Sequence, residues 1–148
     1  MHGRNYIHRG INPKHILVEL DSNGEINEIN VCGFRSSKSQ NQSFMVSMIC
    51  DDNLSRSYFD PTAIEEGYSE ESDLWSVGLI IYFMSTGFHP TNNIQFLKTI
   101  RANGKINFPE NINIDHYLLK FIEFCLKLRV RGSMFNKNLK IKMSKKGI

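Results

Sequence analysis

Eight residues, His8 to His15 in the order H-R-G-I-N-P-K-H, carry the most information about chemistry. They set two imidazoles and a guanidinium around Gly10, which has no side chain with which to accept a proton. A base would have to come from elsewhere, and the other candidates are poor. Asp21 falls in a turn sequence, D-S-N-G, while Asp51 and Asp52 lie in a long polar stretch from which they could swing inward. His2, His89 and His116 show no spacing that suggests a metal site or a triad, and they read as solvated or packed side chains. No Ser or Cys is paired recognisably with a base. Cys32, Cys50 and Cys125 are odd in number, widely spaced and without a C-x-x-C pair, which predicts reduced thiols instead of a disulfide framework or a zinc site.

Length and composition bound what these groups can belong to. A chain of 148 residues is one domain, or a piece of one, with a moderate core. Hydrophobic residues at 41% beside 22% charged residues are ordinary for a soluble globular protein. The net charge of +3 is too small to argue for nucleic acid, and much of it sits in Lys137, Lys140, Lys142, Lys145 and Lys146. That run could touch phosphates or anionic lipid, but reads first as a solvated helix end or frayed tail. The opening M-H-G-R-N-Y-I-H lacks the apolar core of a secretory signal. Leu74 to Met84 is too short for a membrane span, which needs about 20 residues. Cytoplasm or nucleus is the expected compartment.

Local patterns predict the elements that must hold these groups. Ile16 to Leu20 and the stretch with Ile26, Ile29 and Val31 read as two strands of a β-hairpin closed by Asp21-Ser22-Asn23-Gly24. Ser36 to Ser57 reads as a long polar surface loop. Asp60-Pro61 can open a short helix through about Glu66. Ser69 or Ser72 can cap a helix to about Ser85 that is apolar nearly all round and belongs in a core, with Glu70, Glu71 and Asp73 at its positive end and Gly87 as its stop. Ile94 to Ala102 is a further amphipathic segment. Asp115 can cap a helix with Leu118, Phe121, Ile122, Cys125 and Leu128 on one face, and Ser133 a last, basic helix.

The segment His8 to His15 resembles the protein-kinase catalytic loop, an H-R-D triplet followed four residues after the Asp by an Asn. His8, Arg9 and Pro13 match the Ser/Thr type. Ile29 to Ser37, I-N-V-C-G-F-R-S-S, looks like the strand and D-F-G turn, with Phe34 in place. Tyr58 to Thr62, Y-F-D-P-T, looks like the A-P-E motif, and Ser72 to Gly78, S-D-L-W-S-V-G, resembles the buried central helix. The resemblance to the eukaryotic protein kinase superfamily implies a mainly α fold: a kinase-like C-terminal lobe over residues 1–135 with a short β-hairpin and no N-terminal lobe. Within it fall a catalytic loop at 8–15, a D-F-G-like turn at 33–35, an activation segment at 33–62 and a central helix at 72–85, followed by a basic tail at 136–148.

That resemblance also implies roles. Asp73 should hydrogen-bond the catalytic-loop backbone, besides serving its own helix terminus. His8 and Phe34 should stack in a stiffening column, with Trp75 and Gly78 structural in the central helix. Arg9 would contact a phosphorylated activation loop, for which Ser36 to Ser57 supply candidate sites, or be solvated. The chemistry should fail. The positions of the proton acceptor and the two Mg²⁺ ligands carry Gly10, His15 and Gly33, Asn12 replaces the loop Lys, and Arg35 replaces the D-F-G glycine. Thr62 replaces the A-P-E Glu, whose Arg partner would be Arg131. The long helix before the loop would be represented only by Met1 to Tyr6, which should leave an apolar strip exposed on the Leu74–Met84 helix.

Three readings follow. The first is a catalytically inactive kinase-like fragment (a pseudokinase), either an interaction module with a protein partner or the fragment of a truncated gene, needing no cofactor. The second is a divergent Ser/Thr kinase using ATP and Mg, its N-terminal lobe encoded elsewhere. The third is a basic binding module using the Lys137–Lys146 tail for nucleic acid or lipid.

Overall fold

The computed structural model describes residues 1–39, 53–63, 67–89, 98–99, 106, 108–109 and 112–126. Among the described residues four strands, β1 (Tyr6–Ile7), β2 (Ile16–Leu20), β3 (Ile26–Val31) and β4 (Lys38–Ser39), form two antiparallel pairs, β1 with β4 and β2 with β3. The β2–β3 turn is built by Asp21, whose carboxylate accepts from the backbone N–H of Asn23 at 2.8 Å and of Glu25 at 2.9 Å. These bonds hold its carboxyl below the usual carboxylate value. Gly24, at φ 80°, supplies the left-handed residue that the turn needs.

Register puts Ile16 opposite Val31, Val18 opposite Ile29 and Leu20 opposite Ile26, with an irregularity after Glu19. These pairs share one face, yet Val18 is 51% and Ile29 58% exposed. Both faces of the hairpin are therefore open to solvent along most of their length.

The central helix, Glu70–Thr86, starts at Ser69, whose N–H donates to Ser72 Oγ at 3.2 Å. It stops at Gly87, φ 74°, whose N–H returns to the Phe83 carbonyl at 2.7 Å. Trp75 and Leu79 on this helix are fully buried and pack with Tyr58, Ile80, Tyr82, Ile106, Ile122 and Leu126. The expected apolar strip is narrow: Leu74, Val77 and Ile81 are half-buried, and of this row Met84 stands exposed at 74%.

Residues 116–126 are helical, and Asp115 Oδ1 accepts from the N–H groups of Tyr117 and Leu118 at 2.9 and 3.1 Å. The inward face differs from the one read from the sequence. Ile122, Cys125 and Leu126 are buried, whereas Leu118 and Phe121 are exposed. Phe121 lies about 100° around the helix from Ile122, and Leu118 sits about one turn before the core begins.

Other expected boundaries are refined. The 36–57 stretch is not all loop, because Lys38 pairs with Ile7 across the chain and Asn53–Ser57 forms a helical turn. Within Met1 to Tyr6 the helical part is a single 3-10 turn at His2–Arg4, ended by Asn5 at φ 59°, after which Tyr6 enters β1. At Asp60 the chain makes a turn, with Ala63 helical and 64–66 outside the described residues. Of 94–102 only 98–99 are described, as helix. Cys50, Asp51, Asp52, Leu128, Arg131, the segment after Ser133 and the lysine tail lie outside the described residues. Cys32 and Cys125 are free thiols, and no described helix is long and apolar enough to cross a membrane.

Candidate functional site

Asp73 organises the loop. It is buried in the first turn of the central helix, and its two carboxylate oxygens accept from consecutive backbone N–H groups, Oδ2 from His8 at 2.8 Å and Oδ1 from Arg9 at 2.9 Å. Arg9 adopts φ 66°, a left-handed conformation that a non-glycine residue takes only when held there. Two neighbouring N–H groups aimed at one anion make that hold. A third donor was missed by sequence reasoning: His2 Nε2 lies 2.8 Å from Asp73 Oδ2. Nothing local marks His2, since its partner is 71 residues away.

His8 is buried and donates from Nε2 to the Cys32 carbonyl at 2.9 Å, while its ring lies 4.9 Å from that of Phe34. With Nε2 as donor, the buried Nδ1 is an acceptor with no partner among the described residues. The Arg9 guanidinium lies over the Tyr68 ring, 4.8 Å from its centroid, in a cation–π contact. Trp75 is fully buried, its Nε1 without a described partner. Gly78 is where the helix at 116–126 comes closest: a Cβ there would lie 2.9 Å from Cys125 Cβ and 3.0 Å from Leu126 Cδ2.

The three altered positions Gly10, His15 and Gly33 meet in one place. Asn12 is buried, caps the Pro13–His15 turn by accepting from Lys14 N–H at 2.9 Å, and donates to the Gly10 carbonyl at 3.1 Å. His15 Nδ1 lies 2.6 Å from the same carbonyl. A carbonyl oxygen only accepts, so Nδ1 carries the proton, and its 3.1 Å approach to Asn12 Nδ2 joins two donors and is no hydrogen bond. The His15 ring fills the space beside Gly33.

Two more networks were missed. Asp60, fully buried, accepts from Thr62 N–H and Oγ1 at 2.9 and 2.7 Å and from Ser72 Oγ at 2.6 Å. The Tyr58 hydroxyl is hydrogen-bonded with His89 Nδ1 at 2.6 Å, and His89 stacks on Phe83 at 3.9 Å. Burial raises the Tyr58 pKa to about 12.

Magnesium wants oxygen ligands in octahedral array. Gly10 and Gly33 offer no side chain, His15 offers an engaged imidazole, and no group of three or more His, Cys, Asp or Glu among the described residues could hold a metal ion. These residues do not fit the ion.

A carboxylate-tethered loop, a hairpin and a phenylalanine turn packed on the loop histidine, all hung on a buried helix, define a kinase-like domain with helices and small antiparallel sheets. Residues 1–133 match the protein kinase domain, and the chain belongs to that family. It is 33% identical over 130 residues to a putative serine/threonine-protein kinase of Acanthamoeba polyphaga mimivirus, covering 76% of this chain and 28% of that protein. A serine/threonine-protein kinase of Candida albicans is 33% identical over 118 residues, covering 76% of this chain and 14% of its own. Myosin light chain kinase A of Dictyostelium discoideum is 32% identical over 91 residues, covering 61% and 29%. The chain thus spans less than a third of each of these relatives.

Proposed function

We propose that this chain is a pseudokinase: a kinase-like C-terminal-lobe fold, mainly helical, that transfers no phosphate and serves as an interaction module inside the cell. The residue types at positions 10, 15 and 33 carry the reading. Among the described residues the Asp73 carboxylate reaches the loop, and its oxygens accept from N–H donors as a structural tether. Positions 10, 15 and 33 supply neither a proton acceptor nor an acid for magnesium. The free thiols Cys32 and Cys125 suit a reducing compartment. Tyr117, Phe121 and Phe124, spaced four and three apart on one helix and exposed at 81%, 46% and 55%, suit a protein partner.

The test is transfer of radiolabel from ATP to Ser/Thr peptides by the full chain with Mg²⁺ or Mn²⁺. No transfer above the blank is expected. Metal-dependent transfer that disappears in Asp51→Asn/Asp52→Asn would overturn the reading. It would favour the alternative, a divergent Ser/Thr kinase, which the names of its relatives support.

A further inference from the structure

We propose that the His15 imidazole is a stopper that excludes every side chain from position 33, so that a carboxylate there and this imidazole are mutually exclusive. A Cβ built on Gly33 would lie 2.5 Å from His15 Cγ and 2.6 Å from Nε2, and closer still to Cδ2. No real Cβ tolerates such approaches.

The ring cannot step aside cheaply. Cγ is bonded directly to the His15 Cβ, so turning the ring about its own axis leaves that clash in place, and only a change of χ1 removes it. Such a change breaks the 2.6 Å bond from Nδ1 to the Gly10 carbonyl. The backbone is pinned as well: His15 N–H donates to the Asn12 carbonyl at 3.0 Å, and the His15 carbonyl accepts from Cys32 N–H, next to Gly33, at 2.9 Å.

Position 10 behaves differently. A Cβ on Gly10 would meet His8 Nδ1 at 3.9 Å, an ordinary van der Waals distance. The missing proton acceptor is thus a vacancy, whereas the missing cation ligand at 33 is sterically blocked. Restoring an acid at 33 requires removing the imidazole at 15.

This inference rests on the kinase-like reading of the loop, and its test uses the full chain. In a thermal double-mutant cycle, Gly33→Ala should lower Tm by about 10 °C in the presence of His15, from overpacking added to the left-handed φ of 82°. In the His15→Ala background the same change should cost about half as much, the backbone part alone. Equal losses in both backgrounds would sink the stopper.

A second arm uses MnCl2 alone as the probe. Gly33→Asp/His15→Asn should gain a Mn²⁺-dependent rise in Tm that Gly33→Asp lacks; a Gly33→Asp chain that folds only when His15 is replaced supports the proposal equally. Rises in both variants, or in neither, would overturn it. Phosphate transfer by the unaltered chain would refute the pseudokinase reading and leave the cycle standing. An additive cycle would remove the stopper while inactivity still rested on the missing acids.

Discussion

Three donors converge on the Asp73 carboxylate, and the position of the loop depends on them. Hydrogen bonds to a buried charged group contribute about 1.5–3 kcal/mol each when removed singly, and losses within one network are not additive. Asp73→Ala should therefore cost about 3 kcal/mol in denaturant unfolding, because it strands the N–H groups of His8 and Arg9. His2→Ala should cost under about 1 kcal/mol, since His2 is partly exposed and leaves the two backbone bonds intact. Tyr58 makes a pH-dependent contribution. Its folded pKa of about 12 stands above the ordinary value of 10.0, so the unfolded chain releases the proton first. This contribution is complete below pH 10 and is lost as pH rises towards 12. Tyr58→Phe should flatten much of that alkaline slope in urea titrations between pH 9 and 12. Tyr82, also raised by burial, should retain the remainder.

Helix faces and strand pairs obey packing more than local pattern. The Gly78 contact with Cys125 and Leu126 sets which side of the helix at 116–126 faces inward. Gly78→Ala should cost about 1–3 kcal/mol by overpacking, despite the better helix propensity of alanine. Ile122→Ala should cost about 2–5 kcal/mol, whereas Phe124→Ala should change stability by less than about 1 kcal/mol. Equal effects from the two would mean that the opposite face packs inward. The β2–β3 hairpin has the reverse problem. Its cross-strand aliphatic pairs are well matched, but a two-stranded sheet open on both faces is marginal in water. Hydrogen exchange should find the amides of Val18 and Ile29 opening well before those of Leu79 and Ile80 in the central helix.

Family membership makes the whole molecule a kinase-type scaffold, and scaffold does not confer activity. The loop at 8–15, the Phe34 turn and the central helix were legible in the sequence because each is a short run of unusual residue types at fixed spacing. Strand and hairpin boundaries at 16–31 were legible for a similar reason: Asp21 and Gly24 are turn residues whose chemistry is local. The pairing of β1 with β4 was not, since two-residue strands carry no pattern of their own and depend on a partner about 30 residues away. Nor was the inward face of the helix at 116–126, where apolar residues occur nearly all round.

Residue identity alone determined that no acid stands at positions 10, 15 and 33, because the chemistry of a glycine or an imidazole does not depend on where the chain goes. The three-dimensional arrangement decided two contacts that residue identity does not imply: His2 beside Asp73, and the His15 imidazole lodged against Gly33. Each of these is a contact between residues distant in sequence, set by how rigid elements pack in space, and no local spacing encodes it.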